Sequence, residues 1–305
     1  MRIAFLDFWP SFEAHEFAKR FPVLGEVALL EYVEDARAAE LVVFSCFPGG
    51  HRAAPRDPRV HAGAQGVRLY YTGENVLPDF STCEFAMSFA REIVDARHLR
   101  VPNYVGTQAL HGFPLDGLHV TAGDPAALRR AKTRFCSYVQ GNRVPMREAF
   151  VQALMRYKQV DCAGPSLNNI GFVADRKRKY ELFRESKFAV TFENEAVVGY
   201  TSEKLPDALL TNCVPIYWGD PTVELDFDGR GFLNRRDFAS DAALVARIAE
   251  LDQDDAAYEA MLAAPRLSHA RARDGTDPAT LRAFFETVCA RAQQGPRPRR
   301  PVLSA

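Results

Sequence analysis

Along the first ~120 residues, short apolar runs alternate with longer polar stretches of helix-compatible composition. The runs at 3–8, 27–32, 41–47, 67–71 and 85–88 have the length and make-up of strands. Strands that alternate with helical segments predict an α/β fold with a parallel sheet. Between about 100 and 130 the pattern weakens. Pro102, Gly106, Gly112, Pro114, Gly117, Gly123 and Pro125 interrupt it, which predicts a connection between two domains. A second series then begins. A strand at 135–139 leads through Gln140-Gly141-Asn142-Arg143-Val144 to a helix opened by Pro145, with an apolar stripe of Ala149, Phe150, Ala153, Leu154 and Tyr157. A strand at 160–163, a basic helix from Asp175, a strand at 188–193, a helix at 202–211 and a strand at 214–218 follow. Helical segments at 240–263 and 277–292 complete the series. This divides the chain into domains 1–128 and 129–294, with an Arg- and Pro-rich tail, 295–305, expected to be disordered.

Two such α/β domains facing each other across a cleft suit an enzyme that joins two substrates. Ligands of such sheets bind beyond the carboxyl ends of the strands, so functional residues are expected in the loops just after them. Composition narrows the classes further. A net charge of −1 gives no global field toward nucleic acid. The six cysteines are far apart, with no C-x-x-C pair, and read as small buried apolar residues in a reducing compartment. The chain opens directly on a strand-like run, without the pattern of a signal peptide, and no apolar run approaches the ~20 residues of a membrane span. The expected location is cytoplasmic.

The most informative segment runs from Phe188 to Gly219. A strand delivers Glu193 and Asn194 to its end, and a helix then starts near Ser202, whose hydroxyl is expected to cap it. Glu203 and Lys204 fall in its first turn. Arg147 holds the corresponding place after the earlier strand, where a guanidinium can grip two phosphate oxygens. From spacing alone this is an α/β protein with a candidate anion site. Lys and Arg in a first turn are otherwise simply solvated, and Glu193 and Asn194 can equally cap a turn. Asp226-Phe227-Asp228 has a spacing that binds Mn²⁺ elsewhere. It is assigned to a turn before Gly229 instead, since Arg147 and Lys204 already supply the charge a metal would bring. The seven histidines show no ligand spacing.

Phe192-Glu193-Asn194, Tyr200-Thr201-Ser202-Glu203-Lys204 and Val214-Pro215-Ile216-Tyr217-Trp218-Gly219 stand in the order and spacing of the α-1,3/1,4-fucosyltransferases, glycosyltransferase family 10. Tyr71-Thr72-Gly73-Glu74-Asn75 with Pro78, Pro145-Met146-Arg147, and Ile3-Ala4 leading to Trp9 extend the resemblance, the last toward bacterial members. Ser202 stands where the family usually has Thr, and Glu195 where it usually has a small residue. The resemblance implies a GT-B architecture of two Rossmann-like domains, the first binding acceptor and the second GDP-fucose. It implies transfer of L-fucose to a glycan hydroxyl, such as O3 of GlcNAc or glucose in an N-acetyllactosamine- or lactose-like chain, with inversion at the anomeric carbon.

By the same resemblance Glu74 is the catalytic base, and Arg147, Asn194, Tyr200, Glu203 and Lys204 bind the donor. Each has a plainer reading: Glu74 capping its loop, Tyr200 packed in the core. No metal or other cofactor is implied. Trp9 is a candidate for stacking on an acceptor sugar or for the core. The run Arg176-Lys177-Arg178-Lys179 reads as a solvated helix face that, with the basic tail, could touch an anionic inner membrane where glycolipid acceptors are made. The competing readings are a GT-B transferase for another nucleotide sugar, and a nucleotide-sugar or glycan-binding protein without activity.

Overall fold

The structure is a computed structural model that describes residues 1–52, 61, 63–112, 115–119, 123–269 and 274–295. In chain order the strands and helices are β1 (Arg2–Leu6), α1 (Ala14–Arg20), α2 (Pro22–Val27), β2 (Glu31–Tyr32), β3 (Leu41–Phe44), β4 (Val67–Tyr71), β5 (Phe85–Ser88), β6 (His98–Arg100), α3 (Asn103–Leu110), α4 (Pro125–Arg130) and β7 (Arg134–Tyr138). There follow α5 (Pro145–Met155), β8 (Val160–Cys162), α6 (Arg176–Glu185), β9 (Ser186–Val190), α7 (Lys204–Leu210), β10 (Val214–Tyr217), β11 (Leu233–Asn234), α8 (Asp241–Gln253), α9 (Asp255–Ala263) and α10 (Pro278–Gln293).

The chain forms two units, one of residues 1–113 with 273–305 and one of residues 114–272. Each is built on a parallel sheet. The first has the order β2-β1-β3-β4-β5-β6, the second β11-β10-β9-β7-β8. β3, β4 and β5 are buried at every residue, as sheets covered on both faces require. In the second unit, Phe135, Phe150, Leu154, Phe188, Val190, Ile216, Leu244, Ile248 and Tyr258 belong to one core cluster. All six cysteines are buried free thiols, as their apolar surroundings predict.

Three expectations change. The run at 27–32 is mostly not a strand. Pro22, at the first helical position, opens α2, and β2 keeps Glu31 and Tyr32, both exposed. The helical segment at 240–263 divides at Asp254, whose carboxylate accepts from Ala257 N–H and starts α9. The helix at 277–292 was expected to close the second domain. It packs instead in the first unit, whose boundary falls after Phe113 rather than at 128. Phe285 meets Phe21, Phe284 meets Phe85, Arg282 pairs with Glu26, and Gly275 N–H donates to the Arg100 carbonyl at 2.8 Å. An apolar helical face does not encode which sheet it covers. The expected disordered tail, 295–305, lies outside the described residues from position 296 on.

Phe285 is fully buried. Phe285→Ala is expected to lower stability by about 3–5 kcal/mol, measured by urea unfolding. A loss below about 1 kcal/mol would mean that α10 is not part of the first unit's core.

Candidate active site

In the second sheet β7 lies between β9 and β8, so the chain leaves β7 first to one side and later to the other. A parallel sheet opens a crevice beyond its strand ends at such a reversal. A cavity of about 290 Å³ lies there, lined by the loop after β7 (Val139, Gln140, Gly141, Asn142), by Arg147 of α5, by Ala174, Asp175, Arg176 and Lys179 at the start of α6, and by Asn194, Glu203 and Lys204 after β9. Four of the predicted donor residues, Arg147, Asn194, Glu203 and Lys204, are thus brought to one cavity. Tyr200 is 7% exposed, and its hydroxyl acts electrostatically on Arg147 of the cavity.

Arg147 has no exposed surface. Its Nε donates to the Glu193 carbonyl at 3.1 Å and its Nη2 to Asn194 Oδ1 at 2.5 Å. Burial pulls its pKa below the ordinary guanidinium range. Its hydrogen-bond partners are neutral oxygens, while the nearby Glu193 and Glu203 carboxylates favour its charged form.

Lys204 is held differently. Its Nζ lies 2.9 Å from Glu193 Oε2 and 2.9 Å from Ser202 Oγ. Glu193 is fully buried, and its carboxylate also accepts the Ser202 backbone N–H and hydroxyl, each at 2.8 Å. Burial alone would lower the Lys204 ammonium; Glu193 and Glu203 reverse this and raise it, so the lysine stays charged. Ser202 therefore does not cap the helix as expected. Its hydroxyl is given to Glu193, and it reaches Lys204 N–H only at 3.5 Å. Glu193, read from the sequence as a turn cap within the family motif, is the centre of this arrangement.

Burial would raise the Glu203 carboxyl, but the charges of Lys204, Lys179 and Arg176 outweigh it and hold the group at about 2. The preceding turn is fixed by buried Asp220, which accepts Gly199 N–H at 2.8 Å and the Thr222 N–H and hydroxyl at 2.8 and 2.7 Å.

The basic run of α6 is not uniformly a solvated face. Lys177 and Arg178 are exposed, while Arg176 and Lys179 turn inward to the cavity and to buried Asp207. Positions 176 and 179 are three apart and share a helical face, a signal present in the sequence once α6 is placed.

Glu74 follows β4 in the first unit, at a strand end as expected. Its side chain is 35% exposed and pairs with Arg52 at 3.3 Å, and its N–H donates to Thr72 Oγ1. Trp9 follows β1 in a half-buried aromatic group with Phe8, Phe12 and Phe47, with the Arg20 guanidinium 5.1 Å from its ring centre. Asp228 accepts Arg230 N–H and pairs with its guanidinium at 2.7 Å, the turn role assigned to it.

The family model described as glycosyltransferase family 10 (fucosyltransferase) C-term matches residues 129–298, and that of the alpha-(1,3)-fucosyltransferase FucT N-terminal domain matches residues 3–106. The alpha-(1,3)-fucosyltransferase FucT of Helicobacter pylori is 26% identical over 86% of this chain and 59% of its own length. The GDP-fucose protein O-fucosyltransferase 3 of Xenopus laevis is 33% identical over 74% of this chain and 54% of its own. The chain thus spans less than two thirds of these relatives. A crystal structure of an α1,3-fucosyltransferase with GDP-fucose superposes with a TM-score of 0.75 at 26% identity, covering 94% of this chain and 90% of the other. The likeness shows the expected GT-B fold class.

Two outcomes test the site. A Cβ at Gly219 would lie 2.5 Å from Glu193 Cγ and 2.6 Å from Tyr217 OH, so Gly219→Ala must displace the carboxylate that holds Lys204. We expect a loss of about 1–3 kcal/mol in stability and weaker anion binding; a variant normal in both would sink the role given to Glu193. Glu203 titrates at about 2 in the folded chain against an ordinary 4.5. The unfolded chain takes up its proton first as pH falls, so Glu203 contributes stability in full above pH ~4.5 and loses it toward pH ~2. Glu203→Gln should flatten the acid limb of a stability–pH curve in that window and leave its slope between pH 5 and 8 unchanged.

Proposed function

This chain belongs to glycosyltransferase family 10, and from that membership we propose that it is an inverting fucosyltransferase that moves L-fucose from GDP-fucose to a hydroxyl of an acceptor glycan. The observation that carries the reading is the cavity lined by Arg147, Lys204, Asn194 and Glu203, built from the segment that matches the family. The acceptor is an N-acetyllactosamine- or lactose-like chain, attacked through O3 of GlcNAc or glucose.

In the proposed reaction the acceptor oxygen attacks the fucose anomeric carbon as the bond to the GDP phosphate oxygen breaks, with the electron pair leaving on GDP. Glu74 takes the proton of the attacking hydroxyl. Arg147 and Lys204 stabilise the charge that grows on the diphosphate, so no metal is required. Glu203 and Asn194 accept hydrogen bonds from donor hydroxyls. A cytoplasmic location, with peripheral contact to an anionic inner membrane, belongs to the same reading; Lys177 and Arg178 are the exposed half of the basic run that would serve it.

A second reading concerns the acceptor. The 33% identity to a GDP-fucose protein O-fucosyltransferase supports a Ser or Thr hydroxyl of a polypeptide in place of a sugar hydroxyl. Both readings share the donor and separate in one assay: GDP-fucose with excess EDTA, offered N-acetyllactosamine, lactose or a hydroxyl-bearing peptide domain. Glu74→Gln should reduce turnover by about 10²–10⁴ and leave GDP affinity unchanged, whereas Lys204→Ala should lower both. Equal loss of GDP affinity in the two variants, or near-normal turnover in Glu74→Gln, would remove Glu74 as base. Preference for a UDP-sugar, or no transfer at all, would favour the alternative donors or the binding protein.

A further inference from the structure

Lys204 and Arg147 are the two cations that the family motifs assign to the diphosphate, and the structure sets two carboxylates, Glu193 and Glu203, close to Lys204. Lys204 is shared with the buried carboxylate of Glu193, and Glu203 lines the same cavity. Two cations against two carboxylates leave no net charge for an anion that carries at least two negative charges, in a site where no metal is invoked. The first turn of α6 supplies what is missing. Arg176 and Lys179 line the same cavity, with side chains 20% and 11% exposed. They share one carboxylate, Asp207, at 2.9 Å from Arg176 Nη2 and 2.8 Å from Lys179 Nζ, and Tyr180 OH donates to that carboxylate at 2.6 Å. Both cations thus lean on the same carboxylate while facing the cavity. Asp175 sits at the exposed rim, where solvent screens it.

We propose that Lys179 and Arg176 are further binding residues for the nucleoside diphosphate, gripping it from α6 in the cavity that the predicted pair also lines. Asp207 acts as their positioning residue. It is fully buried and sits in the first turn of α7, the helix that begins with Lys204, so it ties the cations of α6 to the element that carries Lys204. Either side chain can turn a donor to a phosphate oxygen while the other keeps Asp207 neutralised. A lone structural ion pair would need one of these cations, not both. Both cations also help Lys204 to keep Glu203 ionised.

The inference rests on the nucleotide reading of the cavity, and calorimetry on the full chain separates the two. Wild-type protein is titrated with GDP and, in competition, with guanosine, which carries no phosphate. Lys179→Gln and Arg176→Gln are each expected to weaken GDP binding about 10-fold or more, the usual worth of a charge-assisted hydrogen bond, and to leave guanosine affinity within twofold. Lys179→Arg should recover most of the loss. The loss should also shrink in high salt, since it is a charge effect. GDP affinity within twofold of wild type in both Gln variants would overturn the proposal. Equal losses for GDP and guanosine would also overturn it, because the cations would then be holding α6 in place only. If one variant does not fold, the other reads the same contact through the same Asp207. A wild-type chain that binds no GDP would sink the nucleotide reading itself.

Discussion

A lysine drawn out of water keeps its charge where an opposing charge lies beside it, and for Lys204 the carboxylate in contact is Glu193. It accepts the Lys204 ammonium together with the N–H and hydroxyl of Ser202, with no exposed surface of its own. A buried pair of this kind is costly to desolvate, and removing one partner costs about 3–5 kcal/mol because the other is left unpaired. Much of the surrounding chain follows from it. Glu193 N–H is tied to the Trp218 carbonyl at 2.7 Å, position 219 must be glycine to let the carboxylate pass, and the turns at Gly199 and Thr222, on either side of α7 and β10, are braced together by a second buried carboxylate, Asp220.

The sheet explains why these groups converge. β7 is the strand from which the chain departs in both directions, and the segments after β7, β8 and β9 all reach the cavity. α7 has seven residues and begins at Lys204, so its backbone contributes a short dipole and the side chains carry most of the positive potential. Their effect is strengthened by burial, where the effective dielectric is lower than in water. Charge fixed in advance on side chains can stabilise a leaving diphosphate without reorganising during the reaction, the same physical task a divalent metal performs in other transferases.

The first unit repeats the construction. β1 lies between β2 and β3, and the residues just beyond the ends of β1, β3 and β4 include Trp9, Phe47 and Glu74. An aromatic group with a cation over the Trp9 ring has the chemistry of a surface that stacks on a sugar ring.

The local pattern of the sequence determined a good deal on its own. Strand runs at 67–71 and 85–88, the helix opened by Pro145, and the strand–loop–helix order around Phe188–Gly219 depend on neighbours in sequence, and they appear in the structure close to their predicted bounds. Arg147, Asn194, Glu203 and Lys204 were legible because rare residues stand at a family's spacing. Tertiary structure decided the rest, because each remaining question turns on a partner distant in the chain. An apolar stripe on α10 records that it must be covered, not that Phe21 covers it. Ser202 looked like a cap until Glu193 lay within reach of its hydroxyl. Arg176 and Lys179 looked like solvated charges because Asp207, which turns them inward, lies 28 residues or more away in sequence and comes near only when α6 and α7 pack together.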